Sequence, residues 1–265
     1  MLLRIMEKKY KLTEETKEWC GHTLHRIEAL KDFGDVKTGD KGGWIEKETN
    51  LSHADNAWVG GSACVGDSAR VSGSACVSDS ACVYGEARVG GEARVSDSAC
   101  VYDSARVGGS ARVYGEACVG DSACVSDSAC VYDSACVGDS ARVYGSACVS
   151  GSAWVGGSAC VGDSARVYGE ACVGDSACVS GSAWVGGSAR VSGSADYIVF
   201  RNWWGSGRFF TWTRSNNMWR VGCFYGTGEE LIKKAYADSE KSGREYERIV
   251  KYVESILADE EKNKE

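Results

Sequence analysis

From Val59 to Val191 a valine recurs at every sixth residue, 23 times without a break, and an alanine stands two places before each one. The polar positions repeat just as strictly. The unit is V-x-[GD]-[SE]-A-x, as in Val119-Gly120-Asp121-Ser122-Ala123-Cys124 and Val167-Tyr168-Gly169-Glu170-Ala171-Cys172. Six is not a helical period, so no helix holds these valines on one face. Alternate residues of a strand share a side. Each A-x-V triplet therefore predicts a short strand with Ala and Val inward and the middle residue outward. The [GD]-[SE] pair predicts a corner, because Gly and Asp tolerate the backbone a tight corner needs. Such units stack into a solenoid of parallel strands about 4.8 Å apart. The period alone permits a three-sided coil of about 18 residues or a flat two-sided one of about 12.

Outside the repeat the pattern changes. Residues 1–43 read as a small N-terminal β cap, with short strands over 9–12 and 23–27 and a turn-rich stretch over 34–43. Ile45 and Leu51 already keep the six-residue step, so the solenoid is expected over 44–196, with a two-residue insertion at one corner between Leu51 and Val59. Tyr197 ends the valine series. Segments 197–203, 208–214 and 219–224 predict three strands of an antiparallel meander. Thr227-Gly228-Glu229-Glu230 fits a capping box that opens a helix. Tyr246, Ile249, Val250, Val253, Ile256 and Leu257 form the apolar stripe of a second helix over 243–257, and the charged segment 258–265 is expected to fray. Residues 197–265 are thus a C-terminal α+β cap. Caps matter because an open strand edge pairs with other chains.

The unit Val-Gly-Asp-Ser-Ala-x resembles the hexapeptide repeat of left-handed parallel β-helices, whose triangular coils take three hexapeptides. The resemblance implies about 18 residues per coil, about seven to eight coils and a rod of roughly 35–40 Å. The flanks sharpen it. Gly42-Gly43-Trp44-Ile45-Glu46, Asn50-Leu51-Ser52, Ala57-Trp58-Val59, the run from Phe210 to Asn216 and Gly222 to Thr227 are similar to uncharacterised hexapeptide-repeat proteins of bacteriophages and prophages. That similarity implies a phage origin and no known activity.

With an 18-residue coil, outward side chains form ladders. One face carries Cys64, Cys82, Cys100, Cys118 and Cys136, interrupted by Trp154 and resumed at Cys172. The corner after it carries Asp67, Asp103, Asp121, Asp139 and Asp175. A second face carries Arg70, Arg88, Arg106 and Arg142, and a third mixes Trp58, Cys76, Arg94, Arg112, Cys130, Cys148, Arg166 and Trp184. A flat, repetitive face with an acidic edge reads as a docking or self-association surface, or as a by-product of repeat duplication. Ladder disulfides are not expected, because parallel Cβ vectors keep the Cβ atoms about 4.8 Å apart, beyond the usual range.

Charge and chemistry narrow the functions. Residues 59–191 hold 14 acidic residues against eight Arg, so the rod as a whole is a poor partner for nucleic acid. The opening segment lacks an apolar stretch long enough for export, and no run is long enough to span a membrane. Of the 14 cysteines, 12 occupy one repeat position, which suits reduced thiols in a cytoplasm, and the phage resemblance implies that of an infected or lysogenic bacterium.

Many hexapeptide β-helices are acyltransferases that use a loop histidine as general base. Here the histidines are His22, His25 and His53, all before the valine series. Cys20-Gly21-His22-Thr23-Leu24-His25 lacks a fourth ligand nearby and reads as a turn with partly exposed imidazoles rather than a metal site. No phosphate loop, nucleophile elbow or dinucleotide fingerprint is present. The chain is therefore expected to be no enzyme and to need no metal or cofactor.

The segment from Tyr197 to Thr227 contains Arg201, Arg208, Arg214 and Arg220 and no acidic residue, interleaved with Trp203, Trp204, Phe209, Phe210, Trp212 and Trp219. Arg and aromatic groups on a sheet hold phosphates and stack bases, although aromatics are also needed to cover the last coil. The expectation is a non-catalytic phage protein that displays its faces to a host or phage protein, for example to block a defence or regulatory factor. Two alternatives stand beside it. One is a binder of a nucleotide, signalling molecule or nucleic acid through the C-terminal cap. The other is a structural protein that self-associates as a homo-oligomer.

Overall fold

The structure, a computed structural model, describes residues 7–263. Residues 1–6, the bulk of the opening segment read above for export, lie outside the described residues, as do Lys264 and Glu265. Strands β1 (Tyr10–Trp19), β2 (His22–Ala29) and β3 (Lys41–Ile45) come first. They lead into 23 two-residue strands, from β4 (Trp58–Val59) to β26 (Arg190–Val191).

Each short strand pairs in parallel with the one 18 residues away: Trp58 with Cys76, Cys64 with Cys82, Arg70 with Arg88. Val59 meets Val77, not Val71, which rules out the two-sided coil. Successive strands pass to three sheets of 11, 8 and 7 strands, and β1, β2 and β3 extend the first of these. The fold is a three-sided parallel β-solenoid. Trp44 pairs with Cys64 and Leu51 with Val71, so the first coil is two residues longer than the rest, as the insertion requires.

The pleat puts every repeat Ala and Val on the axis, each no more than 1% exposed, and the residue between them outside. Corners use the left-handed backbone, with Asp67 at φ 55° and Gly85 at φ 71°. Asp adds a second device. Asp67 Oδ2 accepts from the Gly85 N–H at 3.2 Å, Asp121 Oδ2 from the Asp139 N–H at 3.0 Å, and Asp139 Oδ2 from the Gly157 N–H at 2.8 Å. Each of these carboxylates ties a corner to the one above it.

Both ends of the core are closed by polar side chains. Lys9, 1% exposed, donates its Nζ to the carbonyls of Ala57 (2.7 Å), Ala54 (3.3 Å) and Asp55 (3.3 Å). Tyr10 Oη donates to Leu51 O at 2.8 Å, and Asn50 Nδ2 donates to Ala69 O at 2.9 Å. At the other end Thr211 Oγ1 accepts from the Trp184 N–H (2.9 Å) and Ser215 Oγ from the Arg190 N–H (2.7 Å). Side chains can satisfy an edge without offering a strand for further pairing.

The C-terminal cap differs from expectation in two respects. Its sheet has four antiparallel strands, not three: β27 (Tyr197–Arg201), β28 (Phe209–Thr213), β29 (Met218–Val221) and β30 (Phe224–Gly226). Gly222, at φ 57°, reverses the chain so that Phe224 pairs with Val221. Helices α1 (Gly228–Asp238) and α2 (Glu240–Lys262) follow. The Thr227 capping box forms, with Thr227 Oγ1 accepting from the Glu230 N–H at 3.3 Å. α2 does not fray at 258. Arg214 holds Glu260 in a fork at 2.6 and 2.9 Å, which fixes its last turns to the sheet. Among the described residues no helix is long and apolar enough to cross a membrane.

Candidate functional site

The β1–β2 hairpin turns at Cys20 (φ 49°) and Gly21 (φ 83°), which puts His22 at the start of β2. β2 runs antiparallel to β3, with His25 opposite Ile45, and β3 runs parallel to β5 (Cys64–Val65), with Ile45 beside Val65. This continuous sheet carries the hairpin tip onto the first corner of the solenoid. There His22 Nδ1 lies 3.5 Å from Glu46 Oε2, and Nε2 lies 3.2 Å from Asp67 Oδ1. Glu46 Oε2 also accepts from the Asp67 N–H at 2.5 Å, which locks the carboxylate against the corner. The three ligand atoms lie within 4.8 Å of one another, close enough to share a divalent cation. Glu46 is the least exposed of the three side chains (25%), and His22 (35%) and Asp67 (38%) remain open to solvent.

The surroundings are built from the repeat. Trp19 meets the Tyr84 ring edge-on at 5.7 Å, and Tyr84 stacks on Tyr102 at 5.6 Å along the same corner. On the neighbouring face Arg70 follows Asp67 by three residues, with Arg88 and Arg106 one and two coils further on. The three exposed guanidinium groups line a groove of about 480 Å³, floored by Ser72 and Gly90. Among the described residues none of the three is ion-paired.

On the first face, Cys64 is 4% exposed. The neighbouring Cys82 thiol, with the Lys17 ammonium, holds the Cys64 pKa down at about 6 against burial. Cys82 is correspondingly pushed up, and Cys100 beside it is lowered to about 7. The ladders stack in the register expected: Cys64, Cys82, Cys100, Cys118, Cys136, then Trp154 and Cys172. All 14 cysteines are free thiols. Cys124 separates Arg106 from Arg142, so the unbroken cation row ends at the third coil. Asp67, Asp121 and Asp139 act on backbone N–H groups, as described above, and Asp103 occupies the same left-handed corner at φ 54°.

The Arg and Trp residues of the C-terminal sheet do not gather on one surface. Trp212 and Trp219 are 1% and 2% exposed and belong to the cap's core. Arg214 is paired with Glu260. Arg220 lies over the rings of Tyr168 (5.1 Å) and Trp184 (5.4 Å), pinning the sheet to the last coils. Arg201 covers Phe209 at 5.5 Å, Trp204 meets Tyr246 edge-on at 5.5 Å, and Trp203 stands 80% exposed. Arg208 alone of the four arginines lines a cavity of the cap.

Fold and site together define a three-sided parallel β-solenoid whose N-terminal hairpin presents a histidine between two carboxylates at one corner, with a row of three arginines on the face that follows that corner. No family model matches the chain. Over 88 residues it is 32% identical to a protein described as "Uncharacterized acetyltransferase YdcK" from Escherichia coli (strain K12), a stretch that takes in 30% of this chain and 27% of that relative's length. The similarity overturns the expectation of a non-enzymatic interaction protein. The relative is bacterial, and nothing in the match bears on phage origin. The coils themselves carry no histidine. His22 is remote from the repeat along the chain, yet the sheet that joins β2, β3 and β5 delivers it there.

Proposed function

We propose that the protein is an acyltransferase, moving an acyl group from a phosphate-bearing thioester donor to a hydroxyl or amine acceptor, with His22 as general base. The observation that carries this reading is His22 held between Glu46 and Asp67 at a corner whose following face carries the unpaired Arg70, Arg88 and Arg106. The similarity to a protein described as an acetyltransferase supports it and points to acetyl as the group moved.

The division of labour follows from the geometry. Glu46, the less exposed carboxylate, lies 3.5 Å from Nδ1 and is placed to orient the ring, with Nε2 toward Asp67 Oδ1. For catalysis Nε2 turns from Asp67 Oδ1 to an acceptor O–H or N–H and takes its proton as the acceptor oxygen or nitrogen attacks the thioester carbonyl. The new C–O or C–N bond forms, the C–S bond breaks, and the proton passes from His22 to the departing thiolate. The three arginines, spaced by the coil rise of about 4.8 Å, suit successive phosphate oxygens of the donor.

The test is turnover of acetyl-coenzyme A with a panel of hydroxyl and amine acceptors, followed by mass spectrometry of released coenzyme A. Thiol reagents are unsuitable because the protein itself carries 14 free thiols. His22→Asn is expected to lower kcat by about 100-fold or more with KM little changed, in line with general-base contributions. Arg88→Glu is expected to raise donor KM by about tenfold and spare kcat. No turnover and no donor binding, or a His22→Asn variant as active as the parent, would overturn the proposal. Activity that a chelator abolishes and zinc restores would reassign His22, Glu46 and Asp67 to a metal.

A further inference from the structure

At the far end of the solenoid, the C-terminal cap encloses a second and chemically different cavity of about 230 Å³. It lies between the loop after β27, the end of β29 and the two helices. Val221, Phe224, Leu231 and Ala235 give it an apolar wall. Two cations, Arg208 and Lys234, and one anion, Asp238, stand around it, and among the described residues none of the three has an ion-pair partner. All three residues are exposed, so their charges are open to a ligand.

A second observation points to a ligand independently of the charges. Asn202 lines the cavity and is only 4% exposed. Its Nδ2 donates to Tyr246 Oη at 3.5 Å, whereas its Oδ1 accepts no hydrogen bond from the protein. A buried polar atom left without a partner costs roughly 1–3 kcal/mol, and native structures keep few of them. The wall beside this oxygen is Gly205, where a Cβ would sit 3.3 Å from Oδ1. Glycine puts no side chain between this buried oxygen and the cavity. The loop that carries both residues is pinned at its base by the Asn202 N–H donating to Arg208 O at 2.7 Å, so Asn202 and Arg208 are held together.

We propose that this cavity binds a small zwitterion with an apolar body, an α-amino acid in chemical class. Its carboxylate pairs with Arg208 and Lys234. Its ammonium donates to Asp238 and to Asn202 Oδ1. Its side chain packs on Leu231, Phe224 and Val221. The volume, below the roughly 300–1,000 Å³ of drug-sized sites, sets the scale at a single amino acid. A simple anion would leave Asp238 and Asn202 Oδ1 unanswered, and a simple amine would leave two cations so. The site is separate from the His22 corner and does not depend on the acyl-transfer reading.

Calorimetric titration of the full chain with L-leucine, L-methionine and L-phenylalanine, and with their N-acetyl and carboxamide derivatives, tests the assignment. At least one free amino acid is expected to bind saturably, with a loss of tenfold or more when either end is blocked. Lys234→Met and Asp238→Asn change exposed helix positions, so the fold should survive, as circular dichroism would verify. Each is expected to weaken binding about tenfold, and Asp238→Asn should erase the discrimination against the N-acetyl form. The proposal is overturned if none of the three amino acids binds, if blocked and free forms bind alike, or if both folded variants bind as the parent does.

Discussion

At the scale of single residues, the corner aspartates show how one side chain does two things. Asp139 sits at φ 54° and its Oδ2 accepts from the Gly157 N–H at 2.8 Å. A left-handed backbone costs an ordinary L-residue about 1–2 kcal/mol, and glycine nothing. Asp139→Ala is therefore expected to lose about 1 kcal/mol more than Asp139→Gly, read as faster amide exchange at Gly157 and the corners beside it. Equal losses would mean that the hydrogen bond and not the backbone selects the residue. Lys9 makes a prediction about pH. Burial lowers its pKa to about 8 from 10.5. Between those values the unfolded chain binds more protons than the folded one, so this group makes stability rise with pH from about 8 to 10.5. The stability difference between wild type and Lys9→Met, measured by denaturant unfolding across that window, should grow in favour of wild type. Comparing the two chains cancels the cysteines, which ionise in the same range.

At the scale of elements, the solenoid strand is too short to mean anything alone. Two residues such as Cys100 and Val101 form a strand because Cys82 and Cys118 flank them one coil below and above. Stability is then a sum over neighbouring coils. Deleting residues 115–132 removes one coil and brings equivalent positions into register. The shortened chain is expected to fold, remain monodisperse and keep both the acyl-transfer site and the amino-acid site. Deleting only 115–120 should also preserve the core, since every hexapeptide buries the same Ala and Val. It would move the C-terminal cap to a different face relative to His22. Small-angle scattering should report a shorter rod in the first case and an altered cap position in the second. Collapse of the 18-residue deletion would contradict nearest-neighbour stability.

At the scale of the whole molecule, the uniform middle holds two unlike ends apart. The N-terminal hairpin joins the first sheet and contributes His22, whereas the C-terminal sheet crosses the last coils and is pinned through Thr211, Ser215 and Arg220. The cationic groove belongs to the repeat, on the face that follows the corner where the hairpin docks, and it runs along that face's far side at Ser72, Gly90 and Gly108. If the proposed donor runs along that groove, Arg106→Glu, two coils from Arg70, should weaken donor binding as much as Arg88→Glu does, and Arg142→Glu, beyond the Cys124 break, should not.

The division between sequence and tertiary structure follows from how far each signal reaches. Ala57 to Val191 were legible because inward and outward positions alternate locally and the period recurs, so each coil repeats the evidence of the last. The capping box at Thr227 was legible for the same reason, since its partners are three residues apart. The turn at Gly222 was missed because one reversing glycine within an aromatic run carries no period. The end of α2 was missed because Glu260 is held by Arg214, which is distant along the chain. The candidate site was illegible for a stronger version of this reason. His22, Glu46 and Asp67 come from a hairpin, a strand end and a repeat corner. Each looks ordinary in its own segment, and only the pairing of β2 with β3 and of β3 with β5 sets the three together. Sequence alone determined the solenoid, because its contacts repeat along the chain; tertiary structure decided the two ends, because their contacts occur once and join residues that no period relates.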